Sequence, residues 1–182
     1  MRGDAMLLPY NRQAAVQYAH RWAYGRNPRF YDYQDLGGDC TNFASQCLYA
    51  GTGIMNFTPV YGWYYRSANE KAPAWTGVPF FKNFLLRTEP SPGPAGALAT
   101  PEDVLPGDFV QLNFSSQEYG HTLVIVEVGP PGDLSQILVA AHSMDADWRP
   151  LSSYAFTGLR FLRILGARSV DETTSASLTA LF

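Results

Sequence analysis

The chemistry in this chain has few places to reside. Two of its 182 residues are cysteine and three are histidine, and none of the P-loop, Gly-x-Gly-x-x-Gly, His-Glu-x-x-His or paired Cys-x-x-Cys patterns occurs. Cys40 follows the turn Gly37-Gly38-Asp39 and opens a run in which Phe43, Ala44, Cys47 and Leu48 recur at helical spacing. The spacing predicts a helix from about Asp39 to Ala50, with Asp39 as an N-cap residue type and Gly51 as the stop. A thiol in the first turn of a helix meets free backbone N–H groups and the positive end of the dipole, so Cys40 is expected to have a lowered pKa and nucleophilic character. Cys47 points to the buried face and reads as a small core hydrophobe. Seven residues along one helix separate the two cysteines by about 10 Å, too far for a disulfide.

A nucleophilic thiol needs an imidazole to take its proton and a third polar group to orient that imidazole. His121 opens a strand-like run just after Gly120, and His142 closes the next one. If Pro130-Pro131-Gly132-Asp133 is a four-residue hairpin loop, Gly129 pairs with Leu134 and the ladder sets His121 opposite His142, about 5 Å apart on one face. Asp145, just beyond, is a rival for the third position. Zinc would also accept Cys40, His121 and His142 as three protein ligands. His20 falls off the apolar stripe of its helix and reads as solvent-facing, without a partner in local spacing. Asp108, in the Gly107-Asp108 pair, reads as a turn aspartate that binds local backbone N–H groups.

Several elements must hold these groups in place. Ala14, Ala15, Tyr18, Ala19, Trp22 and Ala23 form one helical face between Tyr10 and Tyr24, with Asn11 as cap. A short helix is predicted from Val78, with Thr76 as cap and Pro79 in its first turn. The segment from Glu89 to Pro106, rich in proline, glycine and alanine, reads as a connector. Strand-like runs cover Asp108 to Phe114, Thr122 to Val128, Ile137 to Ala141 and Leu159 to Leu165. Helices first and strands afterwards predict one α+β domain with a mostly antiparallel sheet over 7–168, followed by a flexible tail over 169–182. Tyr31 and Tyr33, just before the cysteine, either wall a site or cover the core. Trp63, Tyr64, Tyr65 and Trp75 either line a binding groove or bury a satellite core.

A net charge of −3 without a basic cluster argues against nucleic acid or an anionic membrane as the main partner. No run is long enough to span a membrane. Met1 to Met6 is not followed by the apolar core of a signal peptide, and the compartment stays open. No cofactor is called for, and the oligomeric state is not encoded in any pattern.

Larger blocks carry a resemblance. They are Asn11-Arg12-x-Ala14-Ala15 with Tyr18 and Trp22-Ala23, Arg26-Asn27-Pro28, Gly38-Asp39-Cys40-Thr41-Asn42-Phe43-Ala44-Ser45-Gln46-Cys47-Leu48, Gly62-Trp63-Tyr64-Tyr65, Trp75-Thr76-Gly77-Val78, Pro106-Gly107-Asp108 and His121-Thr122-x-Val124-Ile125-Val126. Together they resemble the NlpC-like and CHAP cysteine peptidases of bacterial cell walls, and within that superfamily the putative amidase domain family. The resemblance implies a stripped-down papain-like fold, with Cys40 as nucleophile, His121 as base and His142 in the third position. Asp39, Tyr31, Tyr33, Trp63, Tyr64 and Trp75 would surround the substrate, Tyr31 or Tyr33 matching an upstream tyrosine used by relatives. The implied activity is amide hydrolysis on a peptide or peptidoglycan-type substrate, in an extracellular or cell-wall setting. Acyl transfer by the same groups, and a catalytically silent wall- or peptide-binding module, are the alternatives.

Overall fold

The computed structural model describes residues 6–115 and 117–169. The elements run β1 (Leu7–Leu8), α1 (Arg12–Trp22), α2 (Cys40–Thr52), β2 (Tyr65–Ser67), β3 (Glu70–Lys71), α3 (Pro73–Thr76), α4 (Val78–Leu85), β4 (Gly93–Ala99), β5 (Phe109–Asn113), β6 (His121–Glu127), β7 (Leu138–Ala141), β8 (Ala146–Pro150) and β9 (Gly158–Arg168). The fold is α+β. An antiparallel sheet has the order β1-β9-β5-β6-β7-β8, with β4 also paired to β9. No helix among the described residues is long and apolar enough to cross a membrane. The expected tail lies outside the described residues beyond Ser169.

Local chemistry explains the helix ends. The Asn11 side chain accepts from Ala14 N–H and starts α1. α2 runs through Gly51 and stops at Gly53, in the left-handed conformation at φ 66°. Gly51 has a different use. A Cβ there would come within 2.3 Å of Tyr10 Cε2 and 2.7 Å of the Asn11 carbonyl, so the missing side chain lets the chain entering α1 press against α2. α4 is preceded by Gly77 in the cap position, not Thr76, which ends the short α3; Pro79 sits in the first turn as expected.

The connector expected between Glu89 and Pro106 contains β4, whose small residues pair along β9 from Gly93↔Arg168 to Ala99↔Phe161. Tertiary pairing overrides weak strand propensity here. Between the stretches of β9 that pair with β1 and β5, the edge of Ile164 is closed by side chains. Asp108 Oδ1 accepts from Ile164 N (2.8 Å) and Arg12 Nη1 (2.7 Å), and Arg12 Nη2 donates to Ile164 O (2.8 Å). Asp108 Oδ2 accepts from Leu105 N. The Gly-Asp pair is thus structural, an acidic and a basic group standing in for a missing strand partner.

Apolar burial places α2 on the sheet. One face of the sheet, through Phe109, Val124, Val126, Ala140 and Leu162, packs with Phe43, Ala44, Cys47 and Leu48 of α2 and with Trp63 and Trp75. The other face, through Val110, Leu112, Leu123, Ile125 and Val139, is covered by Val104, Leu151 and Tyr154. Both tryptophans are fully buried with ring centroids 4.8 Å apart. Trp63 Nε1 donates to Ser45 Oγ, and Trp75 Nε1 donates to Asn42 Oδ1. They tie the connection after α2 to the helix core and do not line a groove, which corrects the substrate-binding expectation for them.

Candidate active site

Cys40 is the first residue of α2, where helix geometry exposes backbone N–H groups. Its Sγ lies 4.0 Å from the Gly120 carbonyl and 3.8 Å from Thr41 Oγ1, and the backbone N–H of Thr122 also points to it. Gly120 and Thr122 flank His121. Chain connectivity therefore puts the His121 Cα within an imidazole's reach of the sulfur. A second bond fixes the same approach, since Thr41 Oγ1 and Thr122 Oγ1 are 3.0 Å apart and both residues are fully buried. The helix end and the strand start are clipped together by the residues that follow the cysteine and the histidine.

The His121 ring itself takes the other side of β6. Alternation puts Thr122, Val124 and Val126 on the α2 face, while His121 pairs with Leu112 and stands edge-on to Phe114, centroids 5.2 Å apart. No hydrogen bond joins it to Cys40 or His142 among the described residues.

His142 sits elsewhere than the four-residue hairpin requires. Gly129 N–H bonds to Gln136 O, so the loop is longer, and Val124↔Ala140 is the register near the site. Continuing it sets Thr122, not His121, level with His142. The His142 ring stacks on Phe43 at 4.0 Å, its Nδ1 donates to Asp39 Oδ2 at 2.5 Å, and its Nε2 lies 2.8 Å from the Trp22 carbonyl. Nδ1 faces the Asp39 carboxylate, Nε2 lies between the Trp22 carbonyl and the Arg26 guanidinium, and neither nitrogen is turned to His121. The expectation that His142 orients His121 is replaced by a bond to the residue before the nucleophile. Asp145, the rival, is held by Arg26 through two hydrogen bonds (2.9 and 3.0 Å), and Arg26 Nη1 lies 3.2 Å from His142 Nε2.

Asp39 is buried at 1% exposure and does not use its side chain to cap α2. Its carboxylate accepts from Tyr33 N, Asn42 Nδ2 and His142, while its own N–H donates to Ser143 Oγ. It positions the helix start. Tyr33 is buried and donates its hydroxyl to the Ala68 carbonyl, Tyr31 stays exposed with its ring against Tyr33, and Tyr64 is half-buried beside Phe57. His20 does have a partner, from a distant segment. Its Nδ1 is 2.9 Å from both Asp147 oxygens, and the ring stacks on Trp148 at 4.3 Å.

The electrostatics differ from the expected ion pair. Burial pushes the Cys40 thiol up, the Asp39 charge adds to this, and the Thr122 N–H with the Thr41 donors opposes it. Burial also pushes the His121 imidazole down. The helix terminus alone does not lower the thiol pKa, because desolvation at 7% exposure outweighs it. Both directions favour the uncharged forms, a thiol at Cys40 and a neutral imidazole at His121, whose ring stands on the opposite side of β6 from the sulfur. No group of three or more His, Cys, Asp or Glu side chains that could hold a metal occurs among the described residues, so the zinc alternative loses its ligand set. Clefts of about 630 and 600 Å³ lie elsewhere, one beside Tyr61 and Phe84, the other beside Tyr18 and Arg29.

Arg26, Thr41 and Thr122 lie in the sequence blocks that carry the resemblance but had no role there, and Gln111 and Ser143 stand outside those blocks. Thr41 and Thr122 carried one signal, each directly following a candidate catalytic residue.

Comparison with known proteins gives the family of the chain. The chain is 31% identical over 175 residues to the uncharacterized protein YhbB of Bacillus subtilis (strain 168), an alignment covering 91% of this chain and 52% of YhbB. It thus spans about half the length of that relative. No solved structure matches. Residues 9–164, which hold every residue of the site just described, match the family described as "Putative amidase domain", and the chain belongs to that family.

Proposed function

We propose that the chain is a cysteine-dependent amide hydrolase in which Cys40 attacks the carbonyl and His121 is the proton carrier. Membership of an amidase family supports amide hydrolysis at the coarse level. The observation that carries the finer reading is the seat of Sγ at a helix N-terminus, against the two peptide groups that flank His121. In the reaction the imidazole turns over the end of β6 and takes the thiol proton as sulfur bonds to carbon. Hydrogen bonds between catalytic groups are commonly long before substrate binds. The Cys40 N–H at the helix start and a neighbouring donor hold the oxyanion. His121 returns the proton to the leaving amine, and water, with His121 as base, releases the acyl group. Asp39 and His142 act by position, fixing the residue that precedes the nucleophile.

The substrate class proposed is a peptide amide of the cell-wall type, as the NlpC-like resemblance implies, with exposed Tyr31 and half-buried Tyr64 as the aromatic contacts left once Trp63 and Trp75 are assigned to the core. The test is turnover of cell-wall peptide amides together with intact-mass detection of an acyl adduct. Cys40→Ala and His121→Ala are expected to abolish turnover, and Cys47→Ala to retain it, since Cys47 is fully buried in the core. Turnover surviving in folded Cys40→Ala, or an adduct on Cys47, would overturn the proposal.

A further inference from the structure

A buried chain of hydrogen bonds leads from the sheet to the thiol, and its direction can be read. Arg160 Nε donates to Gln111 Oε1 at 2.8 Å, and Gln111 Nε2 donates to the Val78 carbonyl at 2.8 Å, so the amide has one orientation. The same Nε2 donates to Thr122 Oγ1 at 3.1 Å. Thr122 Oγ1 is 3.0 Å from Thr41 Oγ1, which is 3.8 Å from Cys40 Sγ. Gln111, Thr122 and Thr41 are all fully buried, where polar groups are as a rule hydrogen-bonded. If Thr41 donated to Thr122, the Thr122 proton would have no acceptor among the described residues. With Thr122 donating to Thr41, the Thr41 proton falls on the sulfur and every group is satisfied.

We propose that Thr41 is a positioning residue for the nucleophile, its hydroxyl proton aimed at Cys40 Sγ by a relay that starts at the Gln111 amide. A donor there favours the thiolate, which helps a buried thiol to ionise as its proton leaves for His121. The other titratable and charged groups around the sulfur are Asp39 at its own helix end, His121 on β6 and, behind Asp39, His142 and Arg26 from the β7–β8 turn and the segment after α1. The proposal rests on Cys40 being the nucleophile, and its test is chosen to be independent of turnover.

The experiment is the pH dependence of iodoacetamide alkylation, read on the Cys40 peptide by mass spectrometry in the full chain. Thr41→Val is expected to slow alkylation about tenfold at pH values below the midpoint and to move the midpoint up, the low end for a hydrogen bond to a charged group because the contact to sulfur is long. Thr41→Ser keeps the donor and should stay within about twofold of wild type. Thr122→Val leaves Thr41 its proton but removes the ordering, so its effect should be about two- to threefold, smaller than that of Thr41→Val. A Thr41→Val profile superimposed on wild type would overturn the relay, as would a larger shift in Thr122→Val. Should Thr41→Val fail to fold, a wild-type profile in Thr122→Val is the overturning result. Shifted alkylation without amide turnover in the wild type would leave the relay standing and sink the nucleophile reading; turnover with unshifted alkylation would do the reverse.

Discussion

Replacing His142 by alanine distinguishes a residue that orients the catalytic imidazole from one that holds the nucleophile's helix. The substitution removes the bond to Asp39, the bond to the Trp22 carbonyl and the ring stacked on Phe43. His142 and Asp39 are each 1% exposed, and breaking a buried polar pair by deleting one partner costs about 3–5 kcal/mol. Asp39 keeps its bonds from Tyr33 N and Asn42 Nδ2, with Arg26 Nε at 3.9 Å, which sets the expectation near the lower end. A loss of about 3 kcal/mol is a large share of a total of about 5–15 kcal/mol, and for this chain length corresponds to a fall in Tm of about 6–12 °C. Chemical denaturation with the midpoint shifted and the slope unchanged is the assay. His142→Gln, which can still donate to Asp39, should recover part of the stability. If His142→Ala stays within about 0.5 kcal/mol of wild type while kcat falls 10- to 10⁴-fold, as a triad orienter would give, the assignment to Asp39 is wrong.

The pH profile of kcat/KM follows from burial of both partners. His121 is pushed below its ordinary 6.5 and Cys40 above its ordinary 9.0, so acid removes activity only by protonating a depressed imidazole, and base only by stripping an elevated thiol. The measurement should give a plateau from below pH 6.5 to above pH 9.0, and a narrow bell near neutrality would contradict it. Gly51→Ala forces a Cβ into Tyr10 and Asn11 and should destabilise by about 1–3 kcal/mol in thermal unfolding, with the Cys40 alkylation profile unchanged. Asp108→Asn sets an amide N–H against one of three donors and weakens the Arg12 pair; about 3 kcal/mol of stability should go, the low end because Arg12 is a quarter exposed. A neutral Asp108→Asn would mean that the Ile164 edge needs no partner.

What the sequence determined by itself was whatever rests on neighbours in the chain. The helical period from Phe43 to Leu48, the Asn11 cap and the β-branched runs around Val110, Val124 and Val139 depend on local geometry and one-sided burial, and they emerge within a residue or two of their expected places. The fold class followed from their order. The helix that carries Cys40 and the strand that begins at His121 were legible in the same way. Only the tertiary structure decided how those elements meet. β4 is a strand because β9 offers it a partner, although Gly, Pro and Ala have little strand preference of their own. The β6–β7 register turned on a longer loop and a bulge between Ile125 and Glu127 that no local residue pattern announced, and a slip of one residue moved His142 from His121 to Asp39. The thiol's pKa went up because desolvation depends on everything packed around Cys40, whereas the helix terminus that would lower it is a property of the chain alone. Trp63 and Trp75 became core for the same reason: an aromatic residue is equally suited to a groove or an interior, and only the surrounding packing chooses between them.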